Sequence, residues 1–258
     1  MQNANIKRLL QLQQKSAERR RTKLFVTEGQ RELQHCIEAG YEIDTIFWCE
    51  QIKPQLPFQS NRYKILRVSD EVYAKIAYRG TTEGVVAQVV ARQHTLADIQ
   101  LSDNPLVIVI ESVEKPGNIG AVLRTADAAN ADAVIVCDPL TDIYNPNLLR
   151  SSLGAAFTTP FVACYSDECV NWLKTNNIQI LTAQLQDAHY YYDTDMTRPT
   201  AIVMGTESTG LTNQWRTAAD SHIKIPMLGH LDSLNVAVSA AILTFEAVRQ
   251  RMTINKKR

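Results

Sequence analysis

Three short segments carry the residue types that chemistry requires. Residues 111–128 read ESVEKPGNIGAVLRTADA. Pro116, Gly117 and Asn118 form a sharp turn into a helix, with Asn118 suited to an N-cap or an Asx turn. Gly120 and Ala121 allow close backbone approach. Arg124 follows mid-helix among small and apolar neighbours. If buried it needs an anion such as a phosphate; if exposed it is a surface arginine on an amphipathic helix. Residues 202–211, IVMGTESTGL, hold one carboxylate, Glu207, between Gly205 and Gly210. That pattern suits a backbone cradle around a polar ligand, and it also suits a plain turn. In residues 225–242, Ile225 and Pro226 end a strand and Met227 follows. Ser233 caps or opens a helix, Leu234 follows, and Asn235 falls in the first turn, where unpaired N–H groups favour polar partners.

Several familiar alternatives are absent. Gly117-x-x-Gly120 is not the G-x-G-x-x-G dinucleotide fingerprint, and no G-x-x-x-x-G-K-[ST] loop occurs. There is no G-x-S-x-G nucleophile elbow.

The elements that must position these segments are legible as alternating strands and helices. The spacing predicts a polar helix over residues 6–20, then a strand (KLFVTEG) and a helix ending near Gly40. The strand IDTIFWCE, a turn-rich stretch (KPQLPFQSN), the strand YKILRVS, the helix DEVYAKIA and the strand GVVAQVV complete a small α/β domain over residues 1–95. Residues 96–104 read as a polar linker. From residue 105 onward, βα units repeat. LVIVIES is an unbroken apolar run, as for a strand buried on both faces of a parallel sheet. AVIVCD, FVACYS, IQILTAQ, AIVMGTE and HIKIP follow, with a long helix from Ser233 to the C-terminal region. The fold class is therefore α/β, with an open, mainly parallel sheet in residues 105–258. Ligands in such sheets bind beyond the carboxyl ends of the strands. Tyr190, Tyr191 and Tyr192 follow a strand and could stack on bases or pack over the core.

The chain has 258 residues, with 27 Lys+Arg against 27 Asp+Glu. At 45% hydrophobic and 21% charged, it is not a disordered polyelectrolyte. The zero net charge is a sum: residues 1–95 carry 15 basic and 10 acidic side chains, the remainder 12 and 17. Seven basic residues lie within residues 7–23 and five within the last ten. Such clusters suit phosphate backbones, and they also suit solvated termini. The five cysteines (36, 49, 137, 164 and 169) include no C-x-x-C pair and no zinc-finger spacing with histidines. They read as free thiols of a reducing cytoplasm, with no metal expected. No signal peptide is expected at the N-terminus, and the longest apolar runs are strand-sized.

Taken together and in this order, the three segments resemble motifs 1, 2 and 3 of the SpoU–TrmH family of RNA 2′-O-ribose methyltransferases, within the SPOUT superfamily. Motif 1 is carried by Asn118, Gly120, Ala121, Arg124, Thr125 and Ala126; motif 2 by Gly205, Glu207, Gly210 and Leu211; motif 3 by Ile225, Pro226, Met227, Ser233, Leu234, Asn235, Val236 and Ala237. Residues 150–157, RSSLGAAF, resemble the family's R-x-S-x-G-A element, and residues 20–91 its N-terminal substrate-binding domain. The resemblance implies a deep C-terminal trefoil knot, S-adenosyl-L-methionine as cofactor, RNA as partner and a homodimer through the knot domain. It implies cofactor contacts at Gly205, Ile225 and Leu234, with Met227 nearby. It implies attack of a ribose 2′-hydroxyl on the cofactor's methyl group, with Arg124 gripping RNA phosphate and positioning that hydroxyl. Asn118 would orient Arg124 or the ribose, and Glu207, Ser233 and Asn235 would complete the polar shell. Ribosomal RNA is the expected substrate, with transfer RNA, a modified base, or a non-catalytic ribosome-assembly role as alternatives.

Overall fold

The computed structural model describes residues 3–56, 62–78, 83–206 and 208–255. Glu207, most of the turn-rich stretch before residue 62 and the last three basic residues lie outside the described residues. The chain folds as two compact units, Met1–Gln93 with Tyr144–Thr158, and His94–Ile143 with Thr159–Arg258.

The first unit opens with helices α1 (Ala4–Gln14) and α2 (Ser16–Thr22). The expected single helix breaks at Lys15, whose backbone is extended (φ −120°, ψ 112°). The break lets Arg19 fold back, almost fully buried, and donate to the Leu12 carbonyl at 2.5 Å. One orphan carbonyl at the end of α1 is thereby satisfied. Strands β1 (Leu24–Glu28), β2 (Ile43–Trp48), β3 (Ile65–Arg67) and β4 (Val85–Val90) form a sheet ordered β1-β4-β2-β3. Helices α3 (Gln30–Glu38) and α4 (Asp70–Ile76) connect them. Ile6, Leu9 and Leu12 recur on one face of α1 and pack on Leu24, Val26, Phe47 and Val86. Residues 144–158 join this unit: Tyr144 stacks on Phe25 with centroids 4.4 Å apart, and Phe157 stacks on the same ring at 6.0 Å. The motif-like residues 150–157 therefore belong to the first unit. They form α6 (Pro146–Ser152) and α7 (Ala155–Thr158), separated by Leu153 and Gly154 at positive φ.

In the second unit the strands are β5 (Leu106–Glu111), β6 (Ala133–Cys137), β7 (Phe161–Cys164), β8 (Gln179–Ala183), β9 (His189–Tyr190), β10 (Thr200–Met204) and β11 (Ser221–Lys224). They form one sheet ordered β7-β6-β5-β10-β8-β11-β9, every pairing parallel. The inner strands β5, β6 and β10 are buried at every position, which is why all but Glu111 and Thr200 in them are apolar. Helices α5 (Pro116–Ala128), α8 (Ser166–Thr175), α9 (Asn213–Ala218) and α10 (Val236–Asn255) cover them. The expected linker is not loose: Leu96, Ile99 and Leu101 pack against this unit's core. No helix among the described residues is long and apolar enough to cross a membrane.

A polar cluster closes the carboxyl end of β5. The buried Glu111 carboxylate accepts from the Thr212 N–H at 2.8 Å and from its hydroxyl at 2.7 Å. Ser166 Oγ lies 3.3 Å from Glu111, 2.5 Å from an Asp138 carboxylate oxygen, and accepts from the Trp215 indole at 2.9 Å. Glu111→Ala leaves these buried donors without their acceptor and should lower the unfolding free energy by about 3 kcal/mol, read as a drop in urea midpoint. An unchanged midpoint would remove Glu111 from this role.

Candidate functional site

Three chain segments meet at the carboxyl end of the second sheet, around a cleft of about 300 Å³. Gly205 and Thr206 follow β10, Ile225 and Met227 follow β11, and Ser233 and Leu234 precede α10; all line the cleft. Met204, Ile223 and Val236 add apolar wall, while Arg216, Lys224 and Asp232 add charge.

Backbone geometry explains the glycines of the first segment. The chain doubles back so that Gly210 N–H donates to the Thr206 carbonyl at 3.0 Å. Thr206 Oγ1 also accepts from the Thr209 N–H at 3.1 Å. A Cβ on Gly205 would meet the Gly210 backbone at 2.3 Å, a separation real atoms do not adopt, and Gly210 itself sits at φ +67°. The loop is held tight from within.

The third segment differs from the expectation at its helix start. Ser233 does not open α10; it is exposed in the preceding loop and donates to Asp232 at 3.3 Å. Asn235 is the cap rather than a first-turn residue, and its Oδ1 accepts from the Ala237 N–H at 3.0 Å. The same side chain donates to Asn118 Oδ1 at 3.1 Å, which brings the N-termini of α10 and α5 together. Asn118 likewise is not the N-cap of α5. Lys115 holds that position with Pro116 at the first helical residue, so Asn118 lies in the first turn.

Arg124 is exposed on α5, makes no hydrogen bond or ion pair within the described residues, and is not part of the cleft lining. The structure thus gathers Gly205, Ile225, Met227, Ser233 and Leu234 around one cleft and joins Asn118 to Asn235. Arg124 stands apart from the cleft wall. Reading the motifs missed a further wall, Gln184, Leu185 and Gln186, at the end of β8. Its one signal was position, since a loop after a parallel strand is where ligands bind. At the sheet edge, Tyr190 stacks on Tyr192 with centroids 5.3 Å apart, and the Lys224 ammonium lies 5.3 Å from the Tyr190 ring.

Residues 105–245 match the model of the SpoU rRNA Methylase family, and residues 3–87 match that of the MRM3-like substrate binding domain. The chain belongs to the SpoU rRNA methylase family. Among relatives of this SpoU methylase, the 23S rRNA (guanosine(2553)-2′-O)-methyltransferase RlmP of Bacillus subtilis is 30% identical, across 88% of this chain and 90% of its own. The 23S rRNA (uridine(2479)-2′-O)-methyltransferase of Streptomyces viridochromogenes is 29% identical, across 89% and 84%. The crystal structure of the SpoU methyltransferase AviRb from Streptomyces viridochromogenes, in complex with the cofactor AdoMet, superposes with a TM-score of 0.88 at 28% identity, covering 98% of this chain and 99% of that one. The mainly parallel seven-stranded α/β sheet described above is thus that of a SpoU methyltransferase.

The cleft makes a testable contrast between two glycines. Gly205→Ala should weaken cofactor binding about tenfold or more, because the loop must open to admit the methyl group. Gly117→Ala, where an added Cβ meets nothing within 4 Å, should leave it unchanged. Calorimetric titration with S-adenosylmethionine reads both, and equal affinities in the two variants would contradict the cradle.

Proposed function

We propose that this SpoU methylase transfers a methyl group from S-adenosyl-L-methionine to a ribose 2′-hydroxyl of ribosomal RNA. The observation that carries the reading is the single cleft that gathers Gly205, Ile225, Met227, Ser233 and Leu234 at the strand ends. The residues present fit that cofactor. The tightly folded Gly205–Gly210 turn leaves backbone groups at the cleft, the walls from Met204, Met227 and Leu234 suit its apolar parts, and Asp232 offers a carboxylate to a cation. Backbone at Gly205, Ile225 and Leu234 would hold it, with Met227 alongside. When bound, it supplies a methyl group activated by a sulfonium leaving group.

The protein's own part is to position the hydroxyl and dispose of its proton. A secondary hydroxyl is a poor nucleophile, so alignment contributes most. Arg124 stays charged at every working pH and cannot act as a base. Its role is to grip an RNA phosphate and set the 2′-hydroxyl, with the proton leaving to phosphate or water. Its exposure leaves it open to an anionic partner. Asn118, held by Asn235, orients the ribose or Arg124 from the first turn of α5. Glu207, Ser233 and Asn235 complete the polar shell.

The remaining features follow the same reading. The first unit delivers RNA through Lys7, Lys15, Arg20 and Lys23, which are exposed. The other basic residues of that stretch are engaged in the fold: Arg8 pairs with Asp44 at 2.6 Å, Arg19 caps α1, and Arg21 pairs with Glu18 at 2.6 Å. The segments after β10 and β11 share one cleft wall, as a trefoil knot of the chain would place them. Val238, Phe245 and Met252 form an exposed apolar row along α10, which suits a homodimer through that helix. A reducing cytoplasm, where ribosomes are assembled, is the fitting location.

Arg124→Ala should lower methyl transfer to RNA by about 100-fold or more while leaving cofactor affinity nearly unchanged. Tritium transfer from labelled cofactor, paired with calorimetry, measures the two separately. Substantial residual transfer would sink the assignment of Arg124.

A further inference from the structure

Three thiols that methyl transfer leaves unused converge in the second unit. Cys137 ends β6 and Cys164 ends β7, and the two are direct Cα partners across the parallel pair. In-register partners on neighbouring strands project from the same face of the sheet. Helix α8 brings Cys169 to that face, and the three Sγ atoms all lie within 4.8 Å of one another. Cys137 and Cys169 are fully buried, and Cys164 is partly open to solvent. Their separations along the chain, 27 and 5 residues, match no zinc-finger spacing, so only folding assembles the group.

The surroundings distinguish among the uses of such a cluster. A reactive thiolate is normally activated by nearby Lys, Arg or His⁺. Among the described residues, the charged side chains acting on Cys164 are instead carboxylates, Glu168 and Asp138. Their negative charge favours a cation among the sulfurs. Soft sulfur donors select Zn²⁺ or Cu⁺ over Mg²⁺ or Ca²⁺.

We propose that Cys137, Cys164 and Cys169 bind one soft d¹⁰ cation, Zn²⁺ or Cu⁺, through three sulfurs. Zinc–sulfur bonds of about 2.3 Å set tetrahedral sulfurs about 3.8 Å apart, so the cluster contracts by no more than about 1 Å. Ligation releases the thiol protons to solvent, and the ion enters past the partly exposed Cys164. None of the three sulfurs belongs to the methyl-transfer cleft. The ion fastens the ends of β6 and β7 to α8, beside the Ser166–Asp138 contact. Its role is structural, and it stabilises the folded chain by mass action.

The test is a cadmium titration of the full chain, freshly reduced and stripped with chelator. Cadmium is a spectroscopic stand-in that gives an ultraviolet thiolate charge-transfer band. The expected result is a band saturating at one equivalent with the intensity of three thiolates, displaced by Zn²⁺ or Cu⁺, and a melting temperature that rises with metal. Cys36→Ala and Cys49→Ala should keep the band, and Cys164→Ala should lose at least a third of it. Absence of the band in the unsubstituted chain would overturn the proposal, however the variants fold. So would a band that Cys164→Ala leaves intact, or a disulfide within the cluster in the chain as purified.

Discussion

The buried carboxylate of Glu111 is the anchor on which the cleft depends. It lies at the carboxyl end of a central strand and accepts two hydrogen bonds from Thr212. Thr212 is where the glycine turn after β10 ends and α9 begins. The turn is therefore held at both ends, by the sheet through Met204 and by Glu111 through Thr212. Within it, Gly205 and the Gly210 backbone approach too closely for any side chain. A wall built this way is preorganised, which a site that aligns two reactants requires. The same carboxylate reaches Ser166, and through it Trp215 and Asp138, so the ends of β5 and β6 and the starts of α8 and α9 share one polar cluster in an otherwise apolar core.

Charge is organised by a similar economy. The basic residues near the chain ends first suggest a broad phosphate-binding surface, yet many are structural. Arg251 donates to the carbonyls of Met196, Asn104, Pro105 and Arg198, and Arg249 forks onto Glu246. Burial presses the pKa of Arg251 downward, as expected for a guanidinium serving as a cap among neutral carbonyls. In residues 7–23, where Arg8, Arg19 and Arg21 are engaged within the fold, the exposed remainder is Lys7, Lys15, Arg20 and Lys23. The seven basic residues of that stretch thus overstate the charge it leaves open to an anion.

The strands were the most legible part of the sequence. Runs such as residues 106–110 and 133–137 are apolar at every position because both faces of their strands are buried. Helix starts were less legible. Asn118, Ser233 and Asn235 are all competent caps, and which of them caps depends on neighbours distant in sequence, as the Asn118–Asn235 hydrogen bond illustrates. The break at Lys15 answers to the burial of Arg19 beneath α1, a tertiary demand that helix propensity does not contain. At the candidate site, glycine spacing pointed to the tight turn that joins Gly205 to Gly210. The Gln184–Gln186 wall carried no motif, and the exposure of Arg124 depends on how α5 is rotated against its neighbours. The Cys137–Cys164–Cys169 group was invisible because strand register, not spacing, assembles it.

The central claim is that this chain methylates ribose in ribosomal RNA, and its most direct test is a 2′-O-methylation map of total RNA from cells with and without the protein. The account predicts one 23S rRNA position whose ribose methylation disappears in its absence and returns on re-expression, with all other positions unchanged. A map identical in both cells, or a change confined to base methylation or to transfer RNA, would contradict it.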